Sequence, residues 1–167
     1  MTRTPVGVRV YHLAERFNIT LADTERILNG YKDYIKTSVA SGREVDVGGL
    51  VVLYPMGVVI NKRYTLAYDL KCLANQLRLP CYTVTAVVQQ YIEDLRQDIL
   101  CGDSVEIRGI VSITPVLSGD TIVSFRAKAS KSLKGYCIDY DVNARVRTHM
   151  ALKQYIGRGL SYDRKDA

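Results

Sequence analysis

An internal repeat with a spacing of sixty residues limits the folds that this chain can adopt. Residues 70–115 align without a gap on residues 10–55. The identical pairs are Leu13/Leu73, Ala14/Ala74, Tyr31/Tyr91, Gly42/Gly102, Val45/Val105, Gly49/Gly109, Val51/Val111 and Pro55/Pro115. Most of the apolar positions between them are filled by conservative substitutions, as a shared core requires. The repeat therefore predicts two copies of one supersecondary unit.

The hydrophobic spacing of the first copy predicts a short helix, a long helix and β-strands. The predicted elements are a helix over 8–17, a helix that begins at Thr20 or Asp23 and ends at Ser41-Gly42, and strands over 44–47, 50–54 and 58–61. Thr20 and Asp23 are residue types that cap helix N-termini, and a glycine is common just after a helix. Gly48-Gly49 is interpreted as a hairpin turn.

The second copy repeats this order and then continues into an extension of its own. Its predicted elements are helices over 66–77 and from Thr83 or Thr85 to Leu100, and a hairpin of strands 104–107 and 110–114. In the extension we predict a strand over 116–125 with a turn at 118–120, a basic segment over 126–135, a strand over 136–142 and a helix over 148–156. Only residues 62–65 join the copies, so we divide the chain into 1–65 and 66–167 and expect one body.

Composition is typical of a globular protein that does not enter a membrane. The 167 residues are 47% hydrophobic and 24% charged, which does not favour disorder. The chain has no apolar run of membrane-spanning length, and residues 1–10 have no apolar segment of the signal-peptide kind. The four cysteines are not spaced like metal ligands, so we expect reduced thiols and a cytosolic setting.

The net charge of +6 admits an acidic partner. The candidate contacts to DNA or to an acidic protein are Arg126, Lys128, Lys131, Lys134, Arg145, Arg147 and Lys153. Lysines and arginines separated by small residues suit a phosphate backbone, but a solvated loop has the same composition. The candidates for a protein interface, where tyrosine is enriched, are Tyr136, Tyr140, Tyr155 and Tyr162.

The sequence gives little support for catalysis or for a cofactor. His12 and His149 are the only histidines, and no spacing indicates a nucleophile beside a base. No glycine-rich loop of the phosphate-binding kind is present. We therefore expect no enzymatic activity, no metal, no cofactor and no small-molecule substrate.

The order of elements resembles that of the bacterial HU and integration host factor (IHF) family. The best single match is the segment LCGDSVEIRG at 100–109, with its Gly-Asp and alternating strand. The segment VRTHMALK at 146–153 agrees with the family's pattern only at Leu152 and Lys153. The resemblance implies an α+β fold in which two HU/IHF-like repeats, each a helix-turn-long helix plus a β-hairpin, form one intrachain pseudo-dimer. We further hypothesise that helix 66–77 closes the first repeat as well as opening the second.

The chain differs from the family in the features with which HU-type proteins wrap and kink DNA. HU-type proteins wrap DNA with two long β arms, each with a proline at its tip that wedges between base pairs. Here no proline follows Pro115, Val51 and Val111 replace a hairpin glycine, and the first copy has no room for an arm. DNA kinking by intercalation is therefore not expected.

These departures favour a structural function over DNA wrapping. The chain is similar to HU-like modules that tailed phages use in neck or tail rings, which implies a homo-oligomer or structural neighbours, and a place in the virion if a phage encodes it. The alternative is an architectural protein that binds double-stranded DNA without sequence preference, in the cytoplasm or nucleoid.

Overall fold

A computed structural model describes residues 6–56 and 66–161 of the chain. The helices are α1 (Val6–Phe17), α2 (Leu21–Ala40), α3 (Leu66–Leu77), α4 (Cys81–Leu100), α5 (Lys131–Ile138) and α6 (Met150–Lys153). The strands are β1 (Val45–Val47), β2 (Val51–Met56), β3 (Val105–Ile107), β4 (Val111–Ser118), β5 (Thr121–Ala129) and β6 (Asn143–Thr148). The strand predicted over 58–61 lies outside the described residues.

The sixty-residue repeat is confirmed as a structural repeat. Helices α1 and α2 and strands β1 and β2 begin sixty positions before α3, α4, β3 and β4. Even the left-handed residues between the helices correspond, since Asn18 has φ 52° and Arg78 has φ 58°. The fold is α+β, with two similar units that each contain a helix pair and a three-stranded antiparallel sheet.

The two long helices begin in different ways. The Thr20 hydroxyl caps α2 by accepting a hydrogen bond from the backbone N–H of Asp23 at 3.0 Å, as predicted. Helix α4 begins at Cys81 after Pro80, so the predicted start at Thr83 or Thr85 is wrong. Pro80 has φ −59°, which is compatible with a helix start, and no side-chain hydrogen bond caps α4.

The sheets show that the chain returns to its first repeat at the end. The strand orders are β1-β2-β6 and β3-β4-β5, all antiparallel. The first sheet therefore takes its third strand from beyond residue 142, across the boundary drawn at residue 65. Strand β6 supplies the third strand of the first sheet, and helix α6 follows it, so these two elements complete the first repeat. The hypothesis that helix 66–77 serves both repeats holds only for its packing. Helix α3 packs against both α2 and α4.

The extension folds differently from its prediction between residues 126 and 148. The basic segment 126–135 is split between β5 and α5, and the strand predicted over 136–142 is the end of α5 and a turn. The Ser130 hydroxyl caps α5 by accepting from the Leu133 N–H at 3.0 Å. Leu133 and Cys137, four residues apart, then lie on one buried face, which fixes the helix.

One hydrophobic core joins the two repeats. It contains buried residues of both helix pairs and both sheets, so the copies pack as one body. The hairpin turn of the first repeat lies on helix α4 of the second: Arg96 donates a hydrogen bond to the Gly48 carbonyl at 2.7 Å. Gly48 has φ +60°, and a Cβ atom there would come within 2.3 Å of Ile92. Only glycine satisfies both the backbone angle and this close approach.

The cysteines and the helices give two further observations. Cys72, Cys81, Cys101 and Cys137 are all free thiols, and burial raises the pKa of Cys137. No helix in the described parts of the chain combines the length and apolar character needed to cross a membrane.

Removing one partner of the buried ion pair between α1 and α4 is expected to destabilise the fold strongly. Arg9 donates to the Asp98 carboxylate, and the two side chains are only 9% and 8% exposed. Arg9→Met should lower the free energy of unfolding by about 3–5 kcal/mol, because it removes the Arg9 cation from a carboxylate that stays buried. Urea denaturation measures this loss.

The double variant R9M/D98L should recover most of that stability, since it removes both charges. As a control, Asp23→Asn breaks the exposed ion pair with Arg26, leaves the hydrogen bond from Arg26 to the Leu77 carbonyl in place, and should cost less than about 1 kcal/mol. A loss for Arg9→Met no larger than that of the control would contradict the prediction.

Two buried tyrosines should make the fold sensitive to alkali. Burial raises the pKa of Tyr91 to about 12 and that of Tyr31 further above its ordinary value. In the unfolded chain both ionise near pH 10, so the stability that is fully present below pH 10 is lost as the pH rises toward 12. The free energy of unfolding should fall by about 1.4 kcal/mol per pH unit for each tyrosine.

Tyr91→Phe should remove one tyrosine's share of this slope in urea titrations at several alkaline pH values. Tyr82→Phe is the control, because Tyr82 is 78% exposed and its loss should leave the slope unchanged. At neutral pH Tyr31→Phe should be neutral or stabilising, since the buried Tyr31 hydroxyl has no hydrogen-bond partner among the described residues.

Candidate functional site

A second repeat, with a spacing of nineteen residues, organises the predicted contact residues. Ala129 of β5 pairs with Val111, and Thr148 of β6 pairs with the equivalent Val51. Units β5-α5 and β6-α6 therefore occupy corresponding places in the two halves. The pairs that correspond are Arg126/Arg145, Lys128/Arg147, Leu133/Leu152, Lys134/Lys153 and Tyr136/Tyr155. The shared pattern Arg-x-Lys/Arg-x4-Leu-Lys-x-Tyr was visible in the sequence and was missed.

Four of these cations lie together on the outer faces of the sheets. Arg126 and Lys128 alternate with core-facing residues of β5, and Arg145 and Arg147 do the same in β6; all four are exposed. Strands β5 and β6 contact each other although they belong to different sheets. The four side chains form what we call the central cation strip.

Acidic residues flank this strip on both sides. Along the first sheet Asp46 pairs with Val52, which pairs with Arg147. Along the second sheet Glu106 pairs with Ser112, which pairs with Lys128. Each sheet thus carries an acidic outer strand, an uncharged middle strand and a basic inner strand at these positions. We call Asp46 and Glu106 the acidic rims.

The two halves of the face differ in how their charges are neutralised. Arg147 forms an ion pair with Glu44 at 3.1 Å, and its guanidinium lies 5.1 Å from the centre of the Tyr54 ring. The residue equivalent to Glu44 in the second repeat is Ser104, which hydrogen-bonds to Thr114 at 3.0 Å. Arg126, Lys128 and Arg145 are not in an ion pair with any described residue.

His149 adds to the polar network of the first half. Its Nδ1 accepts a hydrogen bond from the Ala151 N–H at 2.8 Å and so caps α6. Its Nε2 lies 3.1 Å from the Asp46 carboxylate, to which the remaining ring N–H donates. In the second half Ser130 takes the place of His149 as the cap. The histidine is therefore a positioning residue of this face.

The remaining predicted cations lie on the short helices beside the strip. Lys131 and Lys134 are exposed on α5 and Lys153 on α6. Residues 121–161 contain eight Lys or Arg and two Asp, a net +6 that equals the charge of the whole chain. The excess positive charge is thus confined to this part of the molecule.

The predicted interface tyrosines divide between the two halves. The Tyr136 and Tyr140 rings lie 5.4 Å apart, and the Lys36 ammonium lies 5.3 Å from the Tyr136 ring centre. Tyr155 occupies the equivalent position in the other half, where Arg158 lies 5.3 Å from its ring centre. Tyr162 lies outside the described residues.

The β4–β5 hairpin ends in a short tip that the chain's own tail holds in place. The turn falls at Gly119-Asp120, as predicted, with Gly119 at φ +60°. The backbone hydrogen bonds between tip and tail are Ile122 N–H to Arg158 O at 3.0 Å, Gly157 N–H to Ile122 O at 2.7 Å and Leu160 N–H to Asp120 O at 2.8 Å. The Leu160 side chain lies beside Gly102, where an added Cβ atom would come within 3.3 Å of it.

Other parts of the described structure offer little chemistry. A groove of about 400 Å³ lies between α2 and α3. Among the described residues that line it, one is a cysteine (Cys72), one carries a carboxylate (Asp33) and none is a histidine. Within residues 6–56 and 66–161 no three His, Cys, Asp or Glu side chains are gathered as a metal site would need. The central cation strip and the hairpin tip are the features of the described structure that bear on function.

No protein-family model matches this chain, and neither the curated proteins nor the solved structures contain a significant match.

Removing the tail should loosen the hairpin tip and leave the core intact. In a variant that ends at Ile156 the Ile122 amide loses its acceptor, so its hydrogen exchange should accelerate by about two- to tenfold, as the loss of one hydrogen bond implies. The Ile110 amide, which is bonded to Ile107, is the internal control in the same NMR spectrum. Unchanged exchange at Ile122 would show that the tail does not hold the tip.

Proposed function

We propose that this chain is a non-enzymatic structural protein that uses an HU/IHF-like fold as an assembly module. A neck or tail ring of a phage virion is the kind of assembly that we propose for it. Support comes from the two units that share one core, with the third strand of the first sheet supplied from the far end of the chain. An intertwined pseudo-dimer of the HU/IHF type has this property.

The observation that carries the proposal is the short, tethered β4–β5 hairpin. In the HU/IHF family the corresponding hairpins are free arms that reach around DNA. Here the strands close at Gly119-Asp120, and the tail residues 157–160 are bonded to the tip. A hairpin held by its own chain cannot wrap a duplex, which favours reuse of the fold for protein contacts.

Exposed apolar side chains also favour protein neighbours. Tyr82 is 78% exposed, Met150 75% and Ile138 65%. Tyrosine and methionine are enriched in protein interfaces. A subunit that is buried in an assembly keeps such residues at no cost.

The second candidate is an architectural protein that binds duplex DNA without sequence preference. The central cation strip favours it, because Arg126 and Lys128 correspond in position to Arg145 and Arg147 of the other half. Cations in symmetric pairs on one face suit contacts to two phosphate backbones.

One pair of measurements separates the two functions. We expect native mass spectrometry to show a stable oligomer, and gel shifts with random duplex DNA to show no micromolar binding between about 50 and 200 mM salt. A monomer that binds DNA with a steep salt dependence would overturn the assembly proposal. In that case the variant R126Q/K128Q/K131Q/K134Q should abolish the gel shift.

A further inference from the structure

We propose that the central cation strip docks an extended acidic segment of a neighbouring protein, and that Glu44 masks one of the strip's four cations. This inference rests on the proposed assembly function and names the chemistry of one partner. Three observations carry it: the acidic rims, the spacing of the cations along the strands, and the ion pair that is present in one half of the face only.

The acidic rims limit the width of the partner. Neighbouring strands lie about 4.8 Å apart, so each rim is about 10 Å from the strip. This distance is comparable to the Debye length at physiological salt, so the strip attracts an anion above the rims only weakly. Such an anion lies close to Asp46 or Glu106, which repel it. A rod-shaped polyanion lying across the face would meet Asp46 or Glu106. A segment one strand wide fits on β5 and β6 between them.

The spacing of the cations indicates an extended partner. Arg126 and Lys128 are two residues apart in β5, which places their side chains on one face about 6.6 Å apart along the strand. An extended peptide with a carboxylate at every second position has the same repeat. Arg145 and Arg147 in β6 provide the same spacing on the neighbouring strand. The partner is therefore a segment in which acidic residues alternate with small ones.

Glu44 acts as an internal substitute for one of the partner's carboxylates. It lies 3.1 Å from Arg147, whose side chain is 48% exposed and thus accessible to a competing anion. The second repeat has Ser104 at the equivalent position, and its cations Arg126 and Lys128 are left unpaired among the described residues. The partner thus binds the β5 side more readily than the β6 side. The two sides of a nearly symmetric face are therefore not equivalent for the partner.

The test is fluorescence anisotropy with the full chain and a labelled short peptide of alternating Glu and Ser. A peptide of alternating Gln and Ser is the uncharged control. We expect the acidic peptide to bind in a salt-dependent manner and the control peptide not to bind. R126Q/K128Q should weaken binding by about fivefold or more, and R16Q/K71Q, which removes the same charge from the exposed sides of α1 and α3, should not.

Glu44→Ser gives the decisive result, because it installs the residue of the other repeat and should strengthen binding by about two- to threefold. Misfolding cannot imitate such a gain. Unchanged or weaker binding by Glu44→Ser overturns the masking role, and equal binding of the acidic and uncharged peptides overturns the docking face. A competition with random duplex DNA gives a third outcome. If the duplex displaces the acidic peptide, and R126Q/K128Q weakens duplex binding more than peptide binding, the face binds nucleic acid and the proposed peptide docking is wrong.

The outcome is distinguishable from failure of the proposed assembly function. A chain that stays monomeric by native mass spectrometry but binds the acidic peptide refutes the assembly and leaves the docking face standing. A chain that oligomerises but does not bind the peptide refutes the docking face alone.

Discussion

The pairing of β6 with β2 is the interaction on which the rest of the arrangement depends. It runs from Val51 opposite Thr148 to Met56 opposite Asn143, and it brings the end of the chain back to the first repeat. Without it the first sheet would have two strands, too few for a stable sheet of its own. The pairing also places α6 beside the hairpin turn of β1 and β2, and it brings β6 into contact with β5. The central cation strip exists only because these two strands meet.

The same pairing explains why the two repeats are not independent domains. Each long helix packs against elements of the other repeat, as the contact of Arg96 with the Gly48 carbonyl illustrates. The core is continuous between the repeats. A buried ion pair within it, Arg9–Asp98, links α1 of the first repeat to α4 of the second. Folding of one copy alone would leave apolar surface exposed on the helices and on the open edge of its sheet.

The two halves share packing residues and differ in residues of their outer face. Both halves keep the leucine that anchors the short helix, Leu133 and Leu152, and both keep a basic pair on the inner strand. They differ where charge is exposed, with Glu44 and His149 in one half and Ser104 and Ser130 in the other. Duplication thus preserved the residues that pack and allowed those on the outer face to differ. The tethered hairpin tip is a further asymmetry, since tail residues 157–161 serve the second half.

The sequence by itself determined the local elements and their repetition. Periodicity and caps located α1 and α2 closely, because each depends on contacts within a few residues, as with Thr20 and Asp23. The sequence-based prediction was wrong for residues 131–138, where a short basic helix depends on burial of Leu133 and Cys137. The sequence also did not indicate which strand β6 would pair with. The positions of the cations in the chain are local information, but the meeting of these cations in one strip depends on which distant strands pair. Strand partners far apart in the chain are chosen by the core that they complete, and only the tertiary structure decided that choice.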